Sequence, residues 1–222
     1  MKNRFFLGIV LFLLISSLFA SFAAAESTRL KIITYLDPNY VLGQIKAQPS
    51  ILYFTVGRLY YNAGNLDKAK KMFEKSAKLT PDFAPAYHNL GVVYYKQGDY
   101  DSTIQQFEKA IEADSDYSKA YYSLGILYFE IGDFDNSIVN LLEVVGIEQD
   151  NANANFDLGQ SYVAKFRKAE EKNEENYSDL EDALVYLKRA EDIKPGFPNA
   201  ENNIKIIESI IDARDALIQD LQ

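Results

Sequence analysis

The chain has 222 residues, of which 48% are hydrophobic and 25% are charged. This length allows one domain or two small ones, and this composition excludes global disorder. The lack of cysteine excludes disulfides, thiolate metal sites and cysteine nucleophiles, and a single histidine excludes histidine-rich metal clusters. A net charge of −9 repels phosphate backbones, so nucleic acid is not an expected partner.

The first 25 residues have the pattern of a secretory signal peptide. Lys2 and Arg4 precede an uncharged run over 5–25, which ends in three alanines. A basic start, an apolar middle and an Ala-x-Ala end are typical of a cleaved leader. The alternative is an uncleaved signal anchor, because 21 helical residues reach about 31 Å and can cross a membrane. Either reading predicts an exported chain that is periplasmic, extracellular or membrane-anchored and facing outside.

Residues 26–49 contain a helix-start signal. Asp37 and Pro38 have the pattern of an N-cap followed by a first-turn proline, which predicts a helix to about residue 47. We expect 26–49 to form an N-terminal helical cap or a degenerate half-repeat.

A sequence unit recurs every 34 residues from residue 53 onward. Each copy carries Val or Leu, then Gly, then Tyr three residues later, and these glycines are Gly57, Gly91, Gly125 and Gly159. Apolar residues spaced three and four apart predict one amphipathic helix in each half of a unit. Glycine in the first helix permits close approach of the second backbone. Neither helix can bury its apolar face alone, so neighbouring units must stack.

Turn signals separate the two halves of each unit. A glycine ends the first helix, and the Asn or Asp that follows it is placed to cap the second helix. These pairs are Gly64–Asn65, Gly98–Asp99 and Gly132–Asp133.

The combined pattern resembles the tetratricopeptide repeat. The order of aromatic, Leu-Gly, Tyr, small residue, Phe and Ala is matched closely over 87–110, and also over 53–81, where Pro81 fills the terminal proline position. The third unit departs modestly, with Leu141 and Val144 in place of Phe and Ala. The resemblance covers about residues 50–200. It implies an all-α fold, a right-handed superhelical solenoid of helix-turn-helix repeats with a C-terminal capping helix.

Four repeats are expected over 50–197, and the fourth has an insertion near 167–177. The insertion is charged and rich in helix formers, so the first helix of this unit is expected to extend outward by two or three turns or to end in a solvated loop. In either case the segment is expected to be a solvated spacer. The sequence Ser178-Asp179-Leu180-Glu181 predicts a capping box that restarts the helix. Residues 198–222 predict a capping helix with a polar outer face.

The sequence identifies no catalytic, cofactor-binding or metal-binding residue. His88 is a lone histidine without a serine nucleophile motif nearby, and the glycines recur at helix-packing spacing instead of forming a phosphate loop. Asp133 and Asp135 repeat the register of Asp99 and Asp101, so these aspartates are expected to be helix caps and not calcium ligands. We therefore expect a protein that is not an enzyme and that needs no cofactor.

The family resemblance implies that the first helix of each unit lines a concave groove. Residues expected in the groove lie on the helix face away from the Leu-Gly-Tyr stripe. Phe54 and Arg58 stand where some family members place a carboxylate-binding Lys and Asn, and only Asn89 matches that set, so a carboxylate clamp is not expected. The candidate groove residues are Phe54, Arg58, Tyr61, His88, Asn89, Val92, Lys96, Lys119, Tyr122, Ile126, Phe156 and Gln160.

These residues predict a non-enzymatic interaction module at the cell envelope or outside the cell. An aromatic and aliphatic groove with a few polar side chains suits an apolar helix or extended segment of a protein partner. Two alternatives remain for the groove: its aromatics pack between adjacent helices, or residues 26–48 fill its N-terminal mouth. The alternatives for function are an envelope enzyme with a cryptic carboxylate site and a self-associating structural protein.

Overall fold

The computed structural model describes residues 49–170 and 176–220. In these two ranges it contains nine helices and no strand, and the predicted all-α repeat solenoid is confirmed. The predicted leader and N-terminal cap fall on residues 1–48 and lie outside the described residues. No helix within the described ranges combines the length and hydropathy of a membrane span. The helices are α1 (Pro49–Asn62), α2 (Leu66–Leu79), α3 (Ala84–Gln97), α4 (Tyr100–Ala113), α5 (Ser118–Glu130), α6 (Phe134–Ile147), α7 (Ala152–Glu170), α8 (Tyr177–Ile193) and α9 (Ala200–Asp220).

The helices pack as consecutive pairs along the chain. α1 packs on α2, α3 on α4, α5 on α6 and α7 on α8, and α9 packs on α8. Adjacent pairs contact each other through the second helix of one pair and the first helix of the next. Each buried cluster accordingly draws on neighbouring elements; one contains Ile138 and Leu141 of α6 together with Leu158 of α7. The core is thus a continuous series of local contacts, as stacked units require.

The predicted turn residues cap the second helices. The side chains of Asn65, Asp99 and Asp133 each accept a hydrogen bond from the backbone N–H three residues later, at 3.1, 3.1 and 3.2 Å. Gly98 ends α3 with φ 77°, a left-handed conformation that glycine adopts without strain. The prediction that these aspartates cap helices is confirmed for Asp99 and Asp133, whereas Asp101 and Asp135 lie inside the first turns of α4 and α6.

The glycines of the Leu-Gly-Tyr stripe allow the backbone of the first helix in a pair to contact a large side chain of the second helix. A Cβ atom at Gly91 would lie 2.6 Å from the Phe107 ring, and one at Gly125 would lie 2.7 Å from Cγ of Leu141. Phe107 and Leu141 are both buried. The close approach predicted from the sequence is therefore present within the second and third pairs.

The fourth pair departs from the others in its first helix. α7 has 19 residues, whereas α3 has 14. Phe166 on the extended part is buried, and its ring centroid lies 5.3 Å from that of Tyr177. The Arg214 guanidinium lies 5.3 Å from the Tyr177 centroid on α8. The expectation of a solvated spacer up to residue 177 is therefore wrong at Tyr177, because this ring packs on the buried end of α7.

The start of α8 also differs from the prediction. α8 begins at Tyr177, and the Asn176 side chain accepts hydrogen bonds from the backbone N–H and the hydroxyl of Ser178. Asp179 is only 4% exposed and lies 3.8 Å from Lys165. The predicted capping box at Ser178 is wrong because the helix already includes Ser178 and turns Asp179 inward.

The outer face of α9 is only partly polar, because exposed residues such as Lys205 and Asp212 share it with apolar side chains. Ile207 is buried on the side that packs against the solenoid, but Ile206, Ile210 and Leu217 are 45%, 37% and 62% exposed. The expectation of a polar outer face therefore holds only in part, since the apolar residues of α9 are too many for one face to bury.

Candidate functional site

The candidate groove residues lie mainly on α1, α3, α5 and α7, the first helices of the four pairs. They form two rows that are one helical turn apart, and we call the surface made by these rows the first-helix surface. None of the row residues is fully buried, and Arg58 is the exposed one. The first row is Phe54, His88, Tyr122 and Phe156; the second row is Arg58, Val92, Ile126 and Gln160.

Two members of the first row join adjacent units through aromatic contacts. The Phe54 ring meets Phe83 edge-on at a centroid distance of 5.2 Å, and the Phe156 ring lies 4.9 Å from Phe197. Phe83 immediately precedes α3, and Phe197 lies in the connection between α8 and α9. Part of each ring therefore packs against the connection to the next element, and the part that stays accessible to solvent contributes to the first-helix surface.

His88 occupies the equivalent position in the second pair. Its ring stacks on Phe107 at 5.3 Å and meets Tyr117 edge-on at 5.6 Å, and Nε2 lies 2.9 Å from Oγ of Ser123. Burial, with a smaller contribution from the charge of Lys119, lowers the pKa of His88 from 6.5 to about 4. His88 is therefore neutral near pH 7 and packs between units instead of offering a charge.

Tyr122 makes the corresponding contact in the third pair by a hydrogen bond. Its hydroxyl donates to Oδ2 of Asp157 at 2.6 Å. Burial raises the pKa of Tyr122, and the bond to Asp157 raises it further. Burial also raises the pKa of Asp157. Tyr122 is thus fixed by the next unit and is not a freely rotating anchor.

The sequence reasoning missed the polar partners of this row, Ser123 and Asp157. Both hydrogen-bonded pairs, His88 with Ser123 and Tyr122 with Asp157, are separated by 35 residues. This separation is one residue more than the repeat. A search for polar residues one repeat plus one position downstream of the first row would have found them.

Three basic side chains lie exposed on or beside the first-helix surface: Arg58, Lys96 and Lys119. The Arg58 guanidinium lies 5.9 Å from the centroid of the Phe54 ring. Within the described ranges, none of the three cations forms an ion pair. These cations are available for a ligand that carries negative charge.

The remaining polar candidates are already hydrogen-bonded. Asn89 donates from Nδ2 to the backbone carbonyl of Pro85 at 2.8 Å, and Gln160 accepts from Asn203 at 3.4 Å. Tyr61 is half-buried and packs on the cluster that contains Phe73. The one amide that matched a carboxylate clamp therefore uses its donor within its own helix, which disfavours such a clamp.

Two family models match consecutive parts of the chain. Residues 57–98 and 93–132 match a model described as TPR repeat, and residues 118–151 match a model described as tetratricopeptide repeat. Residues 57–151 contain tetratricopeptide repeats. The stripe glycines Gly57, Gly91 and Gly125 all fall within this range.

Solved structures share the fold of these repeats. The crystal structure of MamA superposes with a TM-score of 0.63 at 22% identity, over 78% of this chain and 88% of that chain. YrrB, described as a TPR protein with an unusual peptide-binding site, gives 0.61 at 20% identity, over 78% and 84%. The first TPR of Spaghetti (RPAP3), bound to the HSP90 peptide SRMEEVD, gives 0.50 at 20% identity, over 53% and 95%. The comparison with curated proteins gives no significant match.

Proposed function

We propose that the chain is a non-enzymatic interaction scaffold that binds a peptide or helix of a partner protein on its first-helix surface. The observation that carries this proposal is the combination of half-buried aromatic and aliphatic side chains with three exposed cations on or beside the first-helix surface. The whole chain has a net charge of −9, so a concentration of unpaired basic side chains on this surface runs against its overall charge.

The expected ligand follows from the chemistry of this surface. Val92 and Ile126 offer half-buried aliphatic area between the aromatic side chains of the first row. Burial of apolar side chains there supplies affinity, and the cations select for acidic groups and fix the orientation. The peptide-binding site of YrrB and the peptide bound to RPAP3 support peptide binding as a use of this fold. We therefore propose a partner segment with both apolar and acidic side chains.

The proposed location is the cell envelope or the outside of the cell. Its support is the N-terminal pattern of Lys2 and Arg4, an uncharged run and three alanines before Glu26. Mass spectrometry of the chain recovered from its host tests this proposal. A mature N-terminus at Glu26 outside the cytoplasm is expected; an intact Met1 on a cytoplasmic protein would contradict it.

Affinity capture followed by a binding measurement tests the interaction surface. The chain is used to capture a partner, and the recovered partner is then titrated against the double variant Arg58→Gln/Lys119→Gln. The matched control is Lys71→Gln/Lys109→Gln, which removes two exposed lysines from the second helices α2 and α4. Loss of two interfacial charges should raise Kd about tenfold or more, whereas the control should change it less than about twofold. Equal effects of the two variants would remove the first-helix surface from the mechanism.

A further inference from the structure

The outer face of α9 carries an apolar stripe with no covering element among the described residues. Ile206, Ile210, Ala213 and Leu217 follow one another at intervals of four, three and four residues. This spacing places them along one side of a helix, in the pattern of a helix-pairing seam. The three large side chains are 45%, 37% and 62% exposed in chain order. A separate face of α9, which contains the buried Ile207, already packs on the solenoid.

The surroundings of this stripe are unusual for an acidic protein. Ser209 and Ala216 border one side, and both are small and uncharged. On the other side Arg214 binds Glu181 of α8 at 2.9 Å and lies over the Tyr177 ring. The stripe itself carries no charged side chain from residue 206 to 217, so this is a surface on which two chains of net charge −9 can meet without facing acids.

We propose that the α9 stripe is the interface between two copies of this chain, paired antiparallel around a two-fold axis. The axis passes between residues 211 and 212. Ile206 then faces Leu217 of the second copy, and Ile210 faces Ala213 of the second copy. Because each contact occurs twice, the interface is closed and produces a dimer.

Size and charge favour this antiparallel arrangement. Each of the two central layers combines one isoleucine with one alanine, so large and small side chains fill the seam evenly. At the ends, Asn203 lies opposite Asp220 of the second copy, so each carboxylate meets a neutral side chain and not another acid. A parallel pair would place Ala213 against Ala213 and Asp220 against Asp220, which leaves a gap and juxtaposes like charges. The small side chains of Ser209 and Ala216 let the two helices approach closely along one edge.

The first test is the oligomeric state of the full chain in mild detergent, measured by sedimentation equilibrium. The wild type should be dimeric, and Ile210→Lys should raise the dimer dissociation constant at least tenfold, because the seam then contains two lysines in apolar surroundings. Val185→Lys is the matched control, since Val185 is an exposed aliphatic residue on α8 at 60% exposure. It should leave dissociation unchanged. A monomeric wild type, or an Ile210→Lys variant that dimerises as well as the control, would overturn the proposal.

The second test determines the orientation of the two helices. The chain has no cysteine, so each introduced thiol is the only one in its chain. A mixture of Ile206→Cys and Leu217→Cys chains should form a disulfide-linked heterodimer under mild oxidation, at least ten times faster than either variant alone links to itself. Rapid self-linking of each variant would show parallel pairing, and no linking in any sample would show that the stripe is not paired; both results would contradict the proposal.

Discussion

At the residue scale, one position of the repeat contacts the following part of the solenoid through different kinds of side chain. Phe54 and Phe156 reach beyond their own helix pair with an aromatic ring. His88 does so with an edge-on contact to Tyr117 and a hydrogen bond to Ser123, and Tyr122 does so with a hydroxyl that donates to a carboxylate. The position therefore requires a flat side chain of moderate size, while its polarity is set by the next unit. This is why the row is both a part of the interior and a part of the candidate binding surface.

The buried histidine should make part of the stability dependent on pH. The pKa of His88 is lowered from 6.5 to about 4 in the fold, so the unfolded chain binds a proton over this interval that the folded chain does not. The free energy of unfolding therefore retains this contribution above pH 6.5 and loses it as the pH falls to 4. At about 1.4 kcal/mol per pKa unit, the loss is at most about 3.5 kcal/mol.

The variant His88→Phe isolates this contribution, because Phe54 and Phe156 occupy the same position in other units. Urea unfolding of both proteins at pH 7.5 and pH 4.5 is the measurement. The variant should lose about 2 kcal/mol less stability between the two pH values than the wild type does. The same pH dependence in both proteins would show that His88 titrates normally in the fold.

The hydrogen bond between Tyr122 and Asp157 should couple the third and fourth units. Tyr122→Phe keeps the ring but leaves a partly buried carboxylate without its donor, so we expect a loss of about 1–2 kcal/mol in the free energy of unfolding. A double-mutant cycle with Asp157→Ala measures the pairwise interaction. A coupling of about 1 kcal/mol is expected, and strict additivity of the two substitutions would contradict the contact.

The sequence predicts which residues share the first row, but it does not predict all of their contacts. The register of the repeat places Phe54, His88, Tyr122 and Phe156 on one row, because helical periodicity fixes the face of each residue. The register of a single helix does not give their partners, because Ser123 and Asp157 lie across a unit boundary; only the 35-residue offset between units points to them. The sequence pattern likewise did not predict the hydrogen bond from Asn89 to the Pro85 carbonyl, because this bond depends on a side-chain rotamer.

At the element scale, each helix pair is held by a glycine that meets a large buried side chain. This contact was predictable, because the glycine recurs at a fixed position and the large residue recurs half a unit later. The fourth pair was less predictable, because the charged segment after Phe166 has no register and yet ends in Tyr177, which packs back on Phe166. Local composition predicted a solvated segment, but it did not predict that Tyr177 packs on the core.

Two glycine substitutions with opposite expected signs test the close approach. Gly91→Ala would place a methyl group 2.6 Å from the buried Phe107 ring, and we expect a loss of about 1–3 kcal/mol. Gly146→Ala, within α6, has no atom within 4 Å of its added carbon, and it should stabilise by about 0.5–1 kcal/mol through helix propensity. Thermal melts of both variants are the measurement. A Gly91→Ala variant as stable as Gly146→Ala would show that the paired helices have room to separate.

At the scale of the whole molecule, the described helices form a linear stack in which contacts join neighbours along the chain. Stability in such an array depends on the sum of the units and of the interfaces between them. Loss of a central contact should therefore disrupt the interfaces on both sides, whereas loss of a contact at α9 should affect mainly α8 and α9. The sequence predicts this linearity through its repeat, but it does not predict which outer faces stay apolar, as α9 shows.

Hydrogen exchange on two matched large-to-small variants tests this linear coupling. Leu141 is fully buried between Gly125 and the fourth pair, and Ile207 is 2% exposed on α9. Leu141→Ala and Ile207→Ala should each cost about 2–5 kcal/mol locally, since both create a cavity in a packed cluster. For Leu141→Ala, amide protection should fall throughout α5 to α8, because the interfaces on either side of α6 lose their support. For Ile207→Ala, protection should fall in α8 and α9 while α3 and α4 keep wild-type exchange rates. If Ile207→Ala lowered protection equally in every described helix, the chain would unfold as one cooperative unit, and the nearest-neighbour account of its stability would be wrong.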